Sequence, residues 1–201
     1  YTDIGARSVY SPHSFSPDIA QHDRTTRKAG QVSPVLVPGE KTVLLFFGPT
    51  QSNATNAVGD ANVPAPYTPT NDRVHNLDLA SGGVFTGEDP QLGCSVGLNS
   101  TGLPKLGGNW IARLAQWLID NTDIERVILA PTGIGGTSIA NHTPGLLPYP
   151  ADISERLRIA VRRARELGYR MSATGGPEGT VATAFITQIG ETDASQSGYV
   201  G

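Results

Sequence analysis

Ser52 stands in Gly48-Pro-Thr-Gln-Ser-Asn-Ala54, just beyond the unbroken apolar run Thr42-Val-Leu-Leu-Phe-Phe47. A serine that follows a buried strand sits on rigid backbone with its hydroxyl turned to a cleft, the placement nucleophilic catalysis needs. The residues from Thr50 to Ala54 do not fit the G-x-S-x-G elbow, so the usual α/β-hydrolase arrangement is disfavoured. A polar loop serine with no chemical role is the other reading of this segment alone. A second run, Arg126-Val-Ile-Leu-Ala130, leads into Thr132-Gly-Ile-Gly-Gly-Thr-Ser-Ile139. Consecutive glycines after a strand let backbone N–H groups converge on an oxyanion or a phosphate. A dinucleotide site would need a helix directly after that turn, and Pro144, Pro148 and Pro150 make the next stretch a loop. No Walker-A lysine is present. The third segment, Gln188-Ile-Gly-Glu-Thr-Asp-Ala194, offers a side-chain amide that can donate to an oxyanion, with Glu191 and Asp193 fixing the loop. A capped turn into a following helix fits Thr192 and Asp193 as well.

The elements that must position these groups alternate. Thr42–Phe47 reads as a strand buried on both faces and stopped by Gly48-Pro49. A long loop follows, with a short extended piece at Val74–Leu79. Asn109 looks like the N-cap of a helix whose stripe is Ile111, Leu114, Ala115, Leu118 and Ile119. Arg126–Ala130 is the second strand. Asp152 or Ser154 caps a second helix with the stripe Ile153, Leu157, Ala160, Val161, Ala164 and Leu167, and Val181–Gln188 is the third strand. Strand, helix, strand, helix, strand predicts a parallel α/β sheet with right-handed crossovers. In such sheets reactive groups collect at the carboxyl ends of the strands.

Composition narrows the classes. Glycine (24) and proline (15) make about a fifth of the 201 residues, where ~12% is usual, and charged residues are 16% against ~25%. With 38% hydrophobics the chain reads as a loop-rich globular domain rather than a disordered polyelectrolyte. A net charge of −3 supplies no basic field for nucleic acid. No apolar run approaches the ~18 residues of a membrane span. Cys94 is the only cysteine, which excludes an internal disulfide framework and a zinc–cysteine cluster. No metal or cofactor is called for. Residues 1–40, interrupted by Pro12, Pro17, Pro34 and Pro38, read as an extended arm or linker ahead of a domain at 41–201, with a floppy terminus as the alternative.

The three segments, taken in order, resemble the conserved blocks of the SGNH (GDSL-type) hydrolases, in the branch of carbohydrate acetylesterases that resemble sialate O-acetylesterase. The matching residues are Gln51-Ser-Asn53, Gly135-Gly-Thr-Ser-Ile139 and Gly190-Glu-Thr-Asp193, with Asp89-Pro90, Leu92-Gly93 and the helix from Trp110 to Ile119 in the same layout. The similarity spans roughly residues 41 to 194. It implies a flavodoxin-like three-layer α/β/α fold and serine esterase chemistry on an acylated carbohydrate or small ester. Ser52 would attack the acyl carbonyl, and the N–H groups of Ser52 and Gly136, with an amide such as that of Gln188, would hold the oxyanion. Gln51, Asn53 and Thr137 would line the substrate site. A histidine oriented by an aspartate would carry the proton.

Three departures stand against that pattern. Pro49-Thr50 separate Gly48 from Gln51, where the family runs G-Q-S-N without a break. Ile189 takes the place of the oxyanion glutamine; Gln188 is one residue off, and only a local bulge would turn it to the same side. The family's late Asp-x-x-His is missing. The last histidine is His142, and Asp72-Arg-Val-His75 has the spacing but precedes the first helix. Since three strands would leave a sheet edge open beyond the third, the expectation is that C-terminal strands are lacking and that more polypeptide, or another chain, completes the sheet. A first residue of Tyr1 also suggests processing or a longer polypeptide. Arms commonly tie subunits together, so a homo-oligomer or larger assembly is expected, for which an extracellular or particle-associated setting is suitable. The alternative function is a non-catalytic structural or glycan-binding module that keeps the fold. Arg156, Arg158, Arg162, Arg163 and Arg165 read as a solvated helix face, Cys94 as inert, and the sequons at Asn53, Asn99 and Asn141 as chance matches.

Overall fold

The computed structural model describes residues 31–32, 39–50, 67–79, 81–89, 91–92, 110–133, 154–172 and 180–188. They form seven strands and two helices: β1 (Gln31–Val32), β2 (Thr42–Thr50), β3 (Val74–Leu77), β4 (Val84–Thr86), α1 (Ile111–Asn121), β5 (Arg126–Pro131), α2 (Ser154–Glu166), β6 (Arg170–Ser172) and β7 (Thr180–Gln188). One mixed sheet holds all the strands in the order β1-β4-β3-β5-β2-β7-β6. β3, β5, β2, β7 and β6 run parallel, while β4 is antiparallel to both β3 and β1. The chain therefore has an α/β fold.

β2 is central because nearly every residue in it is apolar, and a strand covered on both faces needs no polar alternation. Leu44 and Phe46 pack with Ile128 and Ala130 of β5 against Ile159, Ala160 and Ala164 of α2. Their neighbours Leu45 and Phe47 pack with Val127 and Leu129 against Ile111, Ala112 and Ala115 of α1. Successive residues of a strand point to opposite faces, so one helix covers each face of β2 and β5. Each fully buried Leu, Ile or Phe contributes about 1.5–3 kcal/mol relative to exposure.

The expected strands and helices are present, with four corrections. β2 does not stop at Phe47 but runs to Thr50, passing Pro49 through an irregularity between Phe47 and Thr50. Proline is tolerated there because a bulge leaves one residue out of the ladder. The cap position of α1 falls on Trp110 rather than Asn109. The sheet edge expected to lie open beyond β7 is paired with β6, a strand of three residues, too short to announce itself by periodicity. Arg156 is not on a solvated face: it is among the most buried side chains, at 1% exposure. At the other edge, Gln31 and Val32, from the segment read as an arm, pair with Phe85 and Val84 of β4.

Candidate active site

The carboxyl ends of three neighbouring strands set the geometry. Phe47 is in register with Pro131 of β5 and with Ile186 of β7, and Thr50 is opposite Gln188. β2 thus lies between β5 and β7, and all three point the same way. The segments carrying Gln51–Asn53, Gly133–Ile139 and Ile189–Asp193 leave the sheet at one edge from adjacent strands.

Thr132 fastens the first two ends together. Its backbone N–H donates to the Phe47 carbonyl at 2.8 Å and its Oγ1 donates to the same oxygen at 2.6 Å. This approach requires Gly48, because a Cβ there would lie 1.8 Å from Thr132 Oγ1. At the end of β5, the buried Arg156 guanidinium reaches across from α2. Its Nε donates to the Thr132 carbonyl at 3.2 Å and its Nη2 to the Pro131 carbonyl at 3.3 Å. Hydrogen bonds from a charged donor are stronger than neutral ones, and these fix the end of β5 where the glycine-rich turn begins.

The irregularity of β2 bears on two departures noted in the sequence. Between paired positions β2 advances from Phe47 to Thr50 while β7 advances from Ile186 to Gln188. The extra residue therefore lies in Gly48–Thr50, where the Gln-Ser-Asn motif is set back from its glycine. The bulge that would turn Gln188 lies across from it on β2, while β7 keeps an ordinary step from Ile186 to Gln188.

Of the site residues expected from sequence, Gln51, Ser52, Asn53, Gly136 and Thr137 lie outside the described residues, as do Ile189 and His142. Gln188 is described as backbone at the end of β7. Asp72 and His75 do not form a catalytic pair. His75 Nε2 contacts the Asp72 backbone oxygen at 2.7 Å rather than its carboxylate, and Arg126 Nη1 lies 3.4 Å from the same nitrogen. His75 is in register with Ile128, and Ile128 with Leu44. From there to Thr50 is six residues of β2, or roughly 20 Å at ~3.3 Å per residue. The ring belongs to a cluster at the opposite edge, where Arg126 Nε bonds Glu40 Oε1 at 2.8 Å. Burial pushes the His75 imidazole below its usual range and Arg126 adds to this, against the opposing pull of the Asp72 carbonyl. Burial likewise pushes the Tyr169 phenol up to about 12.

Sequence reasoning missed Arg156 and Trp110. Arg156 falls between Ile153 and Ala160 on the apolar stripe of α2, and that position was its only signal. Trp110 packs its ring edge-to-face on Phe47, with centroids 5.9 Å apart. Nearby, Asn76 is wholly buried, donating to the Leu92 carbonyl and accepting from the Leu92 N–H at 2.6 Å. Among the described residues no group of His, Cys, Asp and Glu could hold a metal, and no helix is long and apolar enough to cross a membrane.

Comparison with protein-family models, with curated proteins and with solved structures finds no match to this chain.

Proposed function

We propose that the chain carries an SGNH-type site on a flavodoxin-like three-layer α/β/α scaffold and hydrolyses acyl esters of carbohydrates or similar alcohols. The observation that carries this reading is the juxtaposition of three strand ends: β5, β2 and β7 are neighbours, parallel and in register at the edge from which the motif-bearing segments depart. The helices covering the two faces of β2 and β5 support the layered scaffold.

In this reading the Ser52 oxygen forms a bond to the acyl carbon and the ester C–O bond breaks. The serine proton passes through a base to the departing alcohol. Backbone N–H groups of Ser52 and Gly136 stabilise the developing oxyanion, while the ordinary step of β7 from Ile186 to Gln188 leaves the Gln188 amide without the turn it would need to join them. Water then attacks the acyl-serine, releasing the acid and restoring the hydroxyl. The base is drawn from outside the described residues, because His75 lies at the other end of the strands.

That position of His75 favours a second reading, a glycan-binding or structural module without hydrolytic activity, assembled with other copies through residues 1–40. The two are separated by assaying 4-nitrophenyl acetate with the native chain and with Ser52→Ala. The esterase reading expects Ser52→Ala to lower kcat/KM by about a thousandfold or more. Equal rates remove Ser52 from the chemistry, and no hydrolysis by either protein leaves the binding module.

A further inference from the structure

His75 and Arg126 meet as two donors. The Asp72 carbonyl can only accept, so His75 Nε2, 2.7 Å from it, carries the ring hydrogen and donates. A guanidinium can only donate, so Arg126 Nη1, 3.4 Å from the same nitrogen, makes no hydrogen bond to it. With the ring neutral the contact is tolerated. A second proton goes to Nδ1 and sets an imidazolium against a cation that does not titrate. The histidine is 4% exposed, so water screens the pair poorly.

The same guanidinium holds the entry to β2. Its Nε donates to Glu40 Oε1 at 2.8 Å, and the Glu40 side chain is 10% exposed. Lys41 follows: its carbonyl accepts from the N–H groups of Glu125 at 2.9 Å and Arg126 at 3.4 Å, and its own N–H donates to Glu125 Oε2. The Lys41 ammonium pairs with Asp123 at the surface, which leaves Glu40 as the anchor that reaches inward. Gly39 turns the chain ahead of both at φ 81, with no atom within 4 Å of where a Cβ would stand. His75 itself has little freedom to leave, because β3 is paired with β4 on one side and β5 on the other.

We infer that Glu40, Arg126 and His75 form an acid-sensitive latch: when the imidazole takes up a proton, the guanidinium swings away with Glu40, and Gly39–Lys41 lifts from β5 while the rest of the sheet stays folded. The groups that face the ring are Asp72 from the approach to β3, Arg126 from β5 and Glu40 from the entry to β2. Tyr169, which follows α2 and feels Arg126, stays neutral because burial pushes its phenol up to about 12. Burial, with Arg126 adding to it, disfavours the charged ring, against the Asp72 carbonyl and the carboxylates of Asp72 and Glu40. Burial and Arg126 prevail, and the ring's pKa lies below the ordinary 6.5. The open form, in which the ring meets water, therefore binds a proton that the closed form resists. Opening becomes easier as pH falls through the ordinary histidine range, and the latch is shut above it. The latch lies at the opposite end of the strands from the candidate site and stands independently of the esterase reading.

Amide hydrogen exchange on the full chain tests this. The N–H groups of Thr42, Glu125 and Arg126 bond the Glu40 and Lys41 carbonyls and report the latch. From pH 7.5 to 5.5 their protection factors are expected to fall by as much as about tenfold. The opening responsible is expected to be nearly insensitive to low urea, the mark of a local event. The Thr132 N–H, bonded to the Phe47 carbonyl at the far edge, is expected not to join it. His75→Gln is expected to abolish the fall. Arg126→Gln, which leaves an imidazolium facing Glu40 with no rival cation, is expected to shrink it. Protection at Thr42, Glu125 and Arg126 that does not change with pH would overturn the inference, as would an undiminished fall in His75→Gln. A fall that carries the full urea dependence of global unfolding would overturn it too, because acid would then act on the whole fold and not on a latch.

Discussion

Gly48, Thr132 and Phe47 form the tightest contact at the candidate site. Any side chain at position 48 must displace the Thr132 hydroxyl, which would otherwise lie 1.8 Å from the new Cβ. Gly48→Ala is therefore expected to cost about 2 kcal/mol, through overpacking and the weakened bond to the Phe47 carbonyl, read as a lower urea midpoint. His75 sets a second expectation. Its folded pKa is held down by burial and Arg126, among the nearby charges of Glu40 and Asp72. Below the ordinary histidine range near ~6.5 the unfolded chain binds a proton that the folded chain resists, so stability falls as pH drops and is flat above that range. Urea midpoints at pH 7.5 and 5.5 should show this fall, and His75→Gln should reduce it. The sequence showed the Asp-x-x-His spacing but not that the ring would turn to a backbone oxygen. Spacing along a chain says nothing about which end of a strand a residue occupies.

At the scale of elements, apolar periodicity did its work where it was long. β2, β5 and β7 and both helices were legible because burial on two faces, or on one helical stripe, leaves a sustained pattern. β1, β4 and β6 have two or three residues each and no room for one. Charge was the misleading signal in α2. Arg156 lies close to Arg158, Arg162 and Arg165, which stay exposed, yet its position along the apolar stripe decides its fate: it is drawn under the end of β5 and donates there to two carbonyls. Arg156→Met preserves much of the volume and removes the donors. It is expected to destabilise the chain by about 2 kcal/mol, measured by urea unfolding, because the Pro131 and Thr132 carbonyls lose their charged donor in a buried place.

Across the whole molecule, the sheet does what no single motif can. Residues some 80 positions apart, Phe47 and Pro131, are brought side by side, and Thr50 is set against Gln188. The shared direction of these strands could be expected from the alternation of strands and helices, because parallel connections return the chain to the same end of the sheet. The bulge at Gly48–Thr50 could not, since it depends on how β2 meets β7 and not on β2 alone. The central claim is that segments leaving these neighbouring strands close around one hydroxyl. Cysteine pairs joined by a short bifunctional thiol reagent test it most directly. In a Cys94→Ser background, Ser52→Cys with Gly135→Cys is predicted to link within one chain. Ser52→Cys with Asp123→Cys, the latter just past the far end of α1, is predicted not to link. Linkage of position 52 to position 123 but not to position 135 would contradict the claim.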